Sequence, residues 1–119
     1  MKLSEYISCI SANWLINEHG REYQVDGHEI YQFDTMPEYR ELWHGIPLTP
    51  EVLEACEGVK RTPYADWFDW IVCGLNINYN VDENVYFLYE YPEIVFNSLH
   101  QLQNLVALTG QELEYKPKV

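Results

Sequence analysis

The chain is short of cysteine, short of positive charge and without any long apolar run. Cys9, Cys56 and Cys73 are its only thiols. An odd count with no CxxC spacing implies neither a disulfide framework nor a zinc site. Buried free thiols in a reducing cytoplasm are the expected state. Seven Lys and Arg stand against 19 Asp and Glu, a net charge of −12. From Thr62 to Tyr115 there is no Lys or Arg, yet Asp66, Asp69, Asp82, Glu83, Glu90, Glu93, Glu112 and Glu114 fall in that stretch. A surface of that sign repels phosphate backbones, so nucleic acid and anionic membranes are disfavoured partners and a protein is the expected one. No apolar run approaches the ~18 residues of a membrane-spanning helix. Met1-Lys2-Leu3-Ser4-Glu5 has an early acid and no apolar core, unlike a signal peptide. The expected location is the cytoplasm.

What the chain has is aromatic residues: ten Tyr, four Trp and four Phe, 15% of 119 residues. Tyr at that level suits strands with one half-exposed face. The length fits one domain, 1–119. Asn13 to Asn17 and Glu22 to Val25 flank the turn sequence Glu18-His19-Gly20-Arg21 and predict a hairpin. Asp26-Gly27 reads as a second turn and Glu29 to Phe33 as a third strand. Ile46 to Gly58 predicts a short helix, with Thr49 as cap, Pro50 at the first helical position, Glu51 in the first turn and Gly58 as the stop. Trp67 to Cys73 predicts a strand bent at Gly74. Leu75, Ile77 and Tyr79 alternate with Asn76, Asn78 and Asn80, a period-two strand with one wet face. Val81 to Asn84 turns the chain, and Val85 to Tyr91 returns until Pro92.

The closing segment predicts a capped helix and a short strand. Ser98 is the expected N-cap, with Gln101 at capping-box spacing and Gly110 at the left-handed C-terminal position. Leu99, Leu102, Leu105 and Val106 form the apolar stripe. His100, Gln101, Gln103 and Asn104 form a polar face, expected at the surface and able to satisfy backbone groups of a neighbouring strand. Glu112 to Tyr115 alternates like an exposed edge strand. The fold class expected from all this is α+β: a bent antiparallel or small barrel-like sheet with two short helices.

Pro47-Leu48-Thr49 and the block His100 to Leu105, Ala107 to Gly110, Glu112 and Leu113 carry a resemblance. The chain resembles a group of small proteins of Bacteroidetes genomes, phages and mobile elements that end in His-Gln-Leu-Gln-Asn-Leu, then Ala-Leu-Thr-Gly and an acidic-Leu strand. In that group the middle helix opens with Pro-Leu-Thr-Glu-Glu; here Pro50 departs from the pattern. The resemblance implies an origin and a scaffold. It implies no activity, so no functional residue carries over from it.

Little in the chain reads as chemistry. There is no GxSxG, Walker or dinucleotide fingerprint. Asp26-Gly27-His28-Glu29 groups potential ligands, but without metal-binding spacing, so no metal or cofactor is expected. Cys9, Cys56 or Cys73 with His100 are the candidates for a nucleophile pair, and acids such as Asp66 and Asp69 for a carboxylate pair; both read more simply as core thiols and surface acids. Tyr64, Trp67 and Trp70, with Asp66 and Asp69, form the candidate binding patch, since Trp and Tyr dominate interface hot spots. The expected function is that of a non-catalytic accessory protein of a phage or mobile element that acts by binding. The alternative is an acidic inhibitor or nucleic-acid mimic directed at a host defence or DNA-binding protein.

Overall fold

The computed structural model describes residues 12–61 and 69–117. Along them run β1 (Trp14–Ile16), β2 (Glu22–Gln24), α1 (Gly27–Thr35), α2 (Pro37–Glu41), β3 (His44–Gly45), α3 (Pro50–Glu54), β4 (Val59–Arg61), β5 (Trp70–Val72), β6 (Leu75–Asn80), β7 (Val85–Leu88), β8 (Val95–Phe96) and α4 (Leu99–Ala107). The fold is α+β, with two antiparallel sheets in the orders β2-β1-β3 and β4-β5-β6-β7-β8. Residue contacts group the chain into two units: Met1–Pro47 with Ser98–Leu105, and Leu48–Asn97 with Val106–Val119.

In the first unit the expected hairpin forms, with Leu15 opposite Tyr23. Asn17 closes its turn by accepting the His19 and Arg21 N–H groups on Oδ1. The third strand expected at Glu29 to Phe33 is instead part of helix α1. Asp26 is its N-cap: the carboxylate accepts from His28 and Glu29 N–H, and the Glu29 side chain accepts from Asp26 N–H. That reciprocal box satisfies three donors at once. The apparent alternation of Ile, Tyr and Phe was misleading: Phe33 is fully buried, whereas Tyr31 is 66% exposed. Pro37 then forces Met36 out of helical geometry and opens α2. Leu15, Val25, Phe33 and Trp43 make the core, with Ile30 and Tyr39 against it.

The Asp26 box yields a pH-dependent prediction. Its hydrogen bond to Glu29, then the His28 N–H, hold the Asp26 carboxyl below its ordinary 3.8. A depressed acid stabilises the fold above its unfolded value and loses that contribution as pH falls through the folded one. Asp26→Ala is expected to lower Tm by roughly 5 °C at pH 7. The gap to the native chain should close as pH falls through and below 3.8. A gap that stays constant in acid thermal scans contradicts the cap.

In the second unit, α3 starts as expected. Thr49 Oγ1 accepts Val52 N–H at 3.2 Å and Pro50 takes the first turn. The helix ends at Glu54, earlier than expected, because Cys56 crosses to Tyr115 in an isolated bridge flanked by Glu57 N–H to Glu114 O and Lys116 N–H to Ala55 O. The strand expected over Glu112 to Tyr115 is reduced to that bridge, although Leu113 and Tyr115 alternate inward as expected. The bend expected at Gly74 is a full reversal. Val72 pairs with Leu75, and Cys73 (φ 49°) and Gly74 (φ 86°) form the two-residue loop. Positive φ at both loop positions is the type I′ hairpin, which normally calls for Asn-Gly; a Cys there is strained. The register then sets two faces. Trp70, Val72, Ile77, Tyr86, Leu88 and Phe96 are buried on one of them.

Helix α4 carries the expected stripe: Leu99, Leu102 and Val106 are fully buried and Leu105 is half-buried. Gly110 follows at φ 80°. No helix among the described residues is long and apolar enough to cross a membrane.

Candidate functional site

The polar face of α4 is not at the surface. His100 has 0% exposure, Gln103 is buried, and Gln101 and Asn104 are half-buried. Gln103 Oε1 accepts the Trp14 N–H at 2.9 Å, and Asn104 Oδ1 accepts the Asn13 side-chain amide at 3.0 Å. These amides therefore dock the first turns of α4 onto the start of β1. His100 is accommodated because Gly45 has no side chain. A Cβ there would stand 3.0 Å from Ser98 Cβ and 3.1 Å from the imidazole Cε1.

Ser98 Oγ lies 3.1 Å from His100 Nδ1, which invites comparison with a serine nucleophile and its base. The polarity is the reverse. Gln101 Oε1 accepts the Ser98 N–H at 3.2 Å, which fixes it as the oxygen, and the Ser98 hydroxyl donates to the same atom at 2.9 Å. With its one proton used, the hydroxyl oxygen accepts from Nδ1–H. An activated serine must give its proton to the imidazole. The Gln101 side chain accepting the Ser98 N–H is one half of a capping box at the start of α4.

The thiols are equally unsuited to attack. Burial, then the neighbouring Cys73, push the Cys56 thiol up to about 12. Burial also raises Cys73. Thiolate, the reactive form, is scarce for such groups at neutral pH. Cys9 lies outside the described residues. Among the described residues no group of three or more His, Cys, Asp or Glu could hold a metal ion. Asp26, His28 and Glu29 belong to the α1 cap.

Of the aromatic patch expected from the sequence, Tyr64, Asp66 and Trp67 lie outside the described residues. Trp70 is 4% exposed and faces inward on β5, with the Arg61 guanidinium 5.3 Å over its ring, so it offers no open surface. Asp69 is exposed, and its carboxylate accepts the Tyr79 N–H at 3.1 Å while its own N–H donates to Asn78 Oδ1.

Asp69 belongs to a different surface, the opposite face of the five-stranded sheet. The register sets Lys60, Ile71 and Asn76 in one row, Asn78, Phe87 and Val95 in the next, and Asn80 beside Val85. The Asn row expected on β6 is present, but its three residues are half-buried rather than fully wet, as are the flanking Ile71, Val85 and Phe87. Each Asn has a structural partner: Asn76 donates to Glu90 at 2.7 Å, Asn78 accepts from Asp69, and Asn80 accepts the Asp82 and Glu83 N–H groups of the turn. The amides hold the sheet and its loops in place.

At the β7–β8 end this face becomes more apolar. Tyr89, Tyr91, Ile94 and Val95 are exposed within one short loop and its strand, Tyr91 to 58% and Val95 to 53%. The loop is pinned by Leu88 N–H to Ile94 O, Tyr91 N–H to Leu88 O, Ile94 N–H to Tyr91 O and Tyr89 N–H to Asn76 O. Glu90 and Glu93 stand between the apolar residues and are exposed. Sequence reasoning missed this loop by reading Val85 to Tyr91 as one strand. The available signal was Ile94-Val95 resuming apolar character just after Pro92 and Glu93.

The acids do not form a phosphate-like row along the β6–β7 hairpin. Asp82 and Glu83 lie in its connecting turn, whereas Glu90 and Glu93 follow β7 at the opposite end. Comparison with models of known families, with curated proteins and with solved structures finds no match to this chain.

Proposed function

We propose that this chain is a non-catalytic accessory protein of a phage or mobile element and that it acts by binding another protein. The docking surface is the outer face of the five-stranded sheet with the loop from Tyr89 to Val95. The observation behind the proposal is that loop: four apolar residues held in solvent by a hydrogen-bonded backbone. Two of them are Tyr, a side chain that supplies large contact area at small entropic cost. A pinned loop also loses little freedom on binding. The reversed Ser98–His100 polarity and the raised thiols favour binding over catalysis. The phage or mobile-element origin rests on the resemblance of the C-terminal block.

Site-specific photo-crosslinking in the host cell tests this. With p-benzoylphenylalanine replacing Tyr91 or Val95, a discrete protein adduct is expected. The same probe replacing Glu54, an exposed residue of α3, should give none. Equal or absent adducts at all three positions contradict the proposal.

A further inference from the structure

We propose, resting on the reading of this face as a docking surface, that the partner segment it takes is basic: a protein segment with Arg or Lys beside apolar side chains. The chemistry of the face selects that occupant. Among the described residues, Asp69, Glu90 and Glu93 border it and Asp82 and Glu83 lie in the β6–β7 turn; its one cation, Lys60 of the edge strand β4, pairs with Ile71, three strands from β7 and the loop. No Lys or Arg occurs anywhere between Thr62 and Tyr115. A second copy of the chain would bring another net charge of −12 against this one and is repelled. A nucleic-acid backbone is repelled for the same reason. A cationic side chain is attracted, and the loop matches both of its parts. The aliphatic stem of Arg or Lys lies against Tyr89, Tyr91 or Val95, and the charged head reaches Glu90 or Glu93 or sits over a Tyr ring. Glu90 is already oriented by the Asn76 amide on Oε1, and a carboxylate has further acceptor sites for a cation. Apolar side chains flanking the cation then meet Ile71, Phe87 and Val95, which the register sets on the same face.

The test is a titration of the full chain, followed by two-dimensional nitrogen–proton NMR, with a defined probe: an acetylated, amidated peptide of alternating Arg and Leu. The control peptide carries Gln at every Arg. The expected result is that the Arg peptide shifts the amides of Asn76, Phe87, Tyr89, Glu90, Tyr91 and Val95. Raising NaCl from about 0.05 M to about 0.5 M should weaken binding ~5-fold or more. Glu90→Gln with Glu93→Gln should weaken it ~10-fold with Tm unchanged. A Gln peptide that binds as tightly as the Arg peptide overturns the basic-partner proposal and leaves the docking surface standing. Shifts spread over acids elsewhere, such as Glu112 and Glu114, also overturn it, since they mark non-specific attraction. If neither peptide moves the face, the basic-partner proposal fails. The crosslinking at Val95 then decides separately whether the face binds protein at all.

Discussion

Replacing Leu102 with aspartate is expected to abolish cooperative folding. Leu102 is fully buried on α4, between the equally buried Leu99 and Val106. Removing a buried leucine alone costs about 2–5 kcal/mol. The aspartate must also be ionised without a partner or neutralised against its own pKa, which adds several kcal/mol. The sum approaches the ~5–15 kcal/mol that holds a typical domain together. Circular dichroism should show lost structure and no thermal transition. Leu108→Asp, at 84% exposure just beyond the same helix, should leave Tm within a few degrees, because charge on an exposed position has little to desolvate. An intact transition in Leu102→Asp contradicts the burial of the stripe.

Trp43→Ala is expected to have the next largest effect, and it acts through the aromatic core of the first unit. The indole meets Phe33 at 5.1 Å, Tyr23 at 5.7 Å and Tyr39 at 5.8 Å, all edge-on. Such edge-to-face geometry places the positive rim of one ring on the negative face of another. Losing the side chain leaves a large cavity, at a cost of about 3–5 kcal/mol. A Tm drop of ~15–25 °C follows for a domain of this size. Trp43→Phe keeps a ring in place and should recover more than half of the loss. If Ala and Phe lower Tm equally, the ring contacts are not what stabilises this core.

How much of this could be read in advance depended on the range of the interactions involved. Thr49 with Pro50, and Ser98 with Gln101 and Gly110, were legible because capping is chemistry between residues a few positions apart. The Asp26–Glu29 box is just as local, yet Gly27 suggested a turn and the spacing of Ile30, Tyr31 and Phe33 imitated a strand. Only the burial of Phe33 against Trp43 decides between the two. The Cys73-Gly74 reversal was hidden because Cys is a poor residue for positive φ. His100 looked like a surface residue since nothing near it in sequence discloses that Gly45 makes room for its ring. The outer face is the least legible of all. Ile71, Asn78, Phe87 and Val95 become neighbours only through the pairing of four strands.

That face is the centre of the functional proposal, and fold and binding can be separated on it. Tyr91 and Val95 are exposed and mostly surrounded by solvent, so Tyr91→Ala with Val95→Thr should shift Tm by no more than a few degrees. The most direct measurement is therefore partner retention by this double variant, scored beside its Tm. The expected result is an unchanged transition and at least ~10-fold weaker retention of the protein that crosslinks at position 91 in the native chain, as loss of a Tyr hot spot produces. Full retention of that protein by a folded double variant would contradict the assignment of binding to this face.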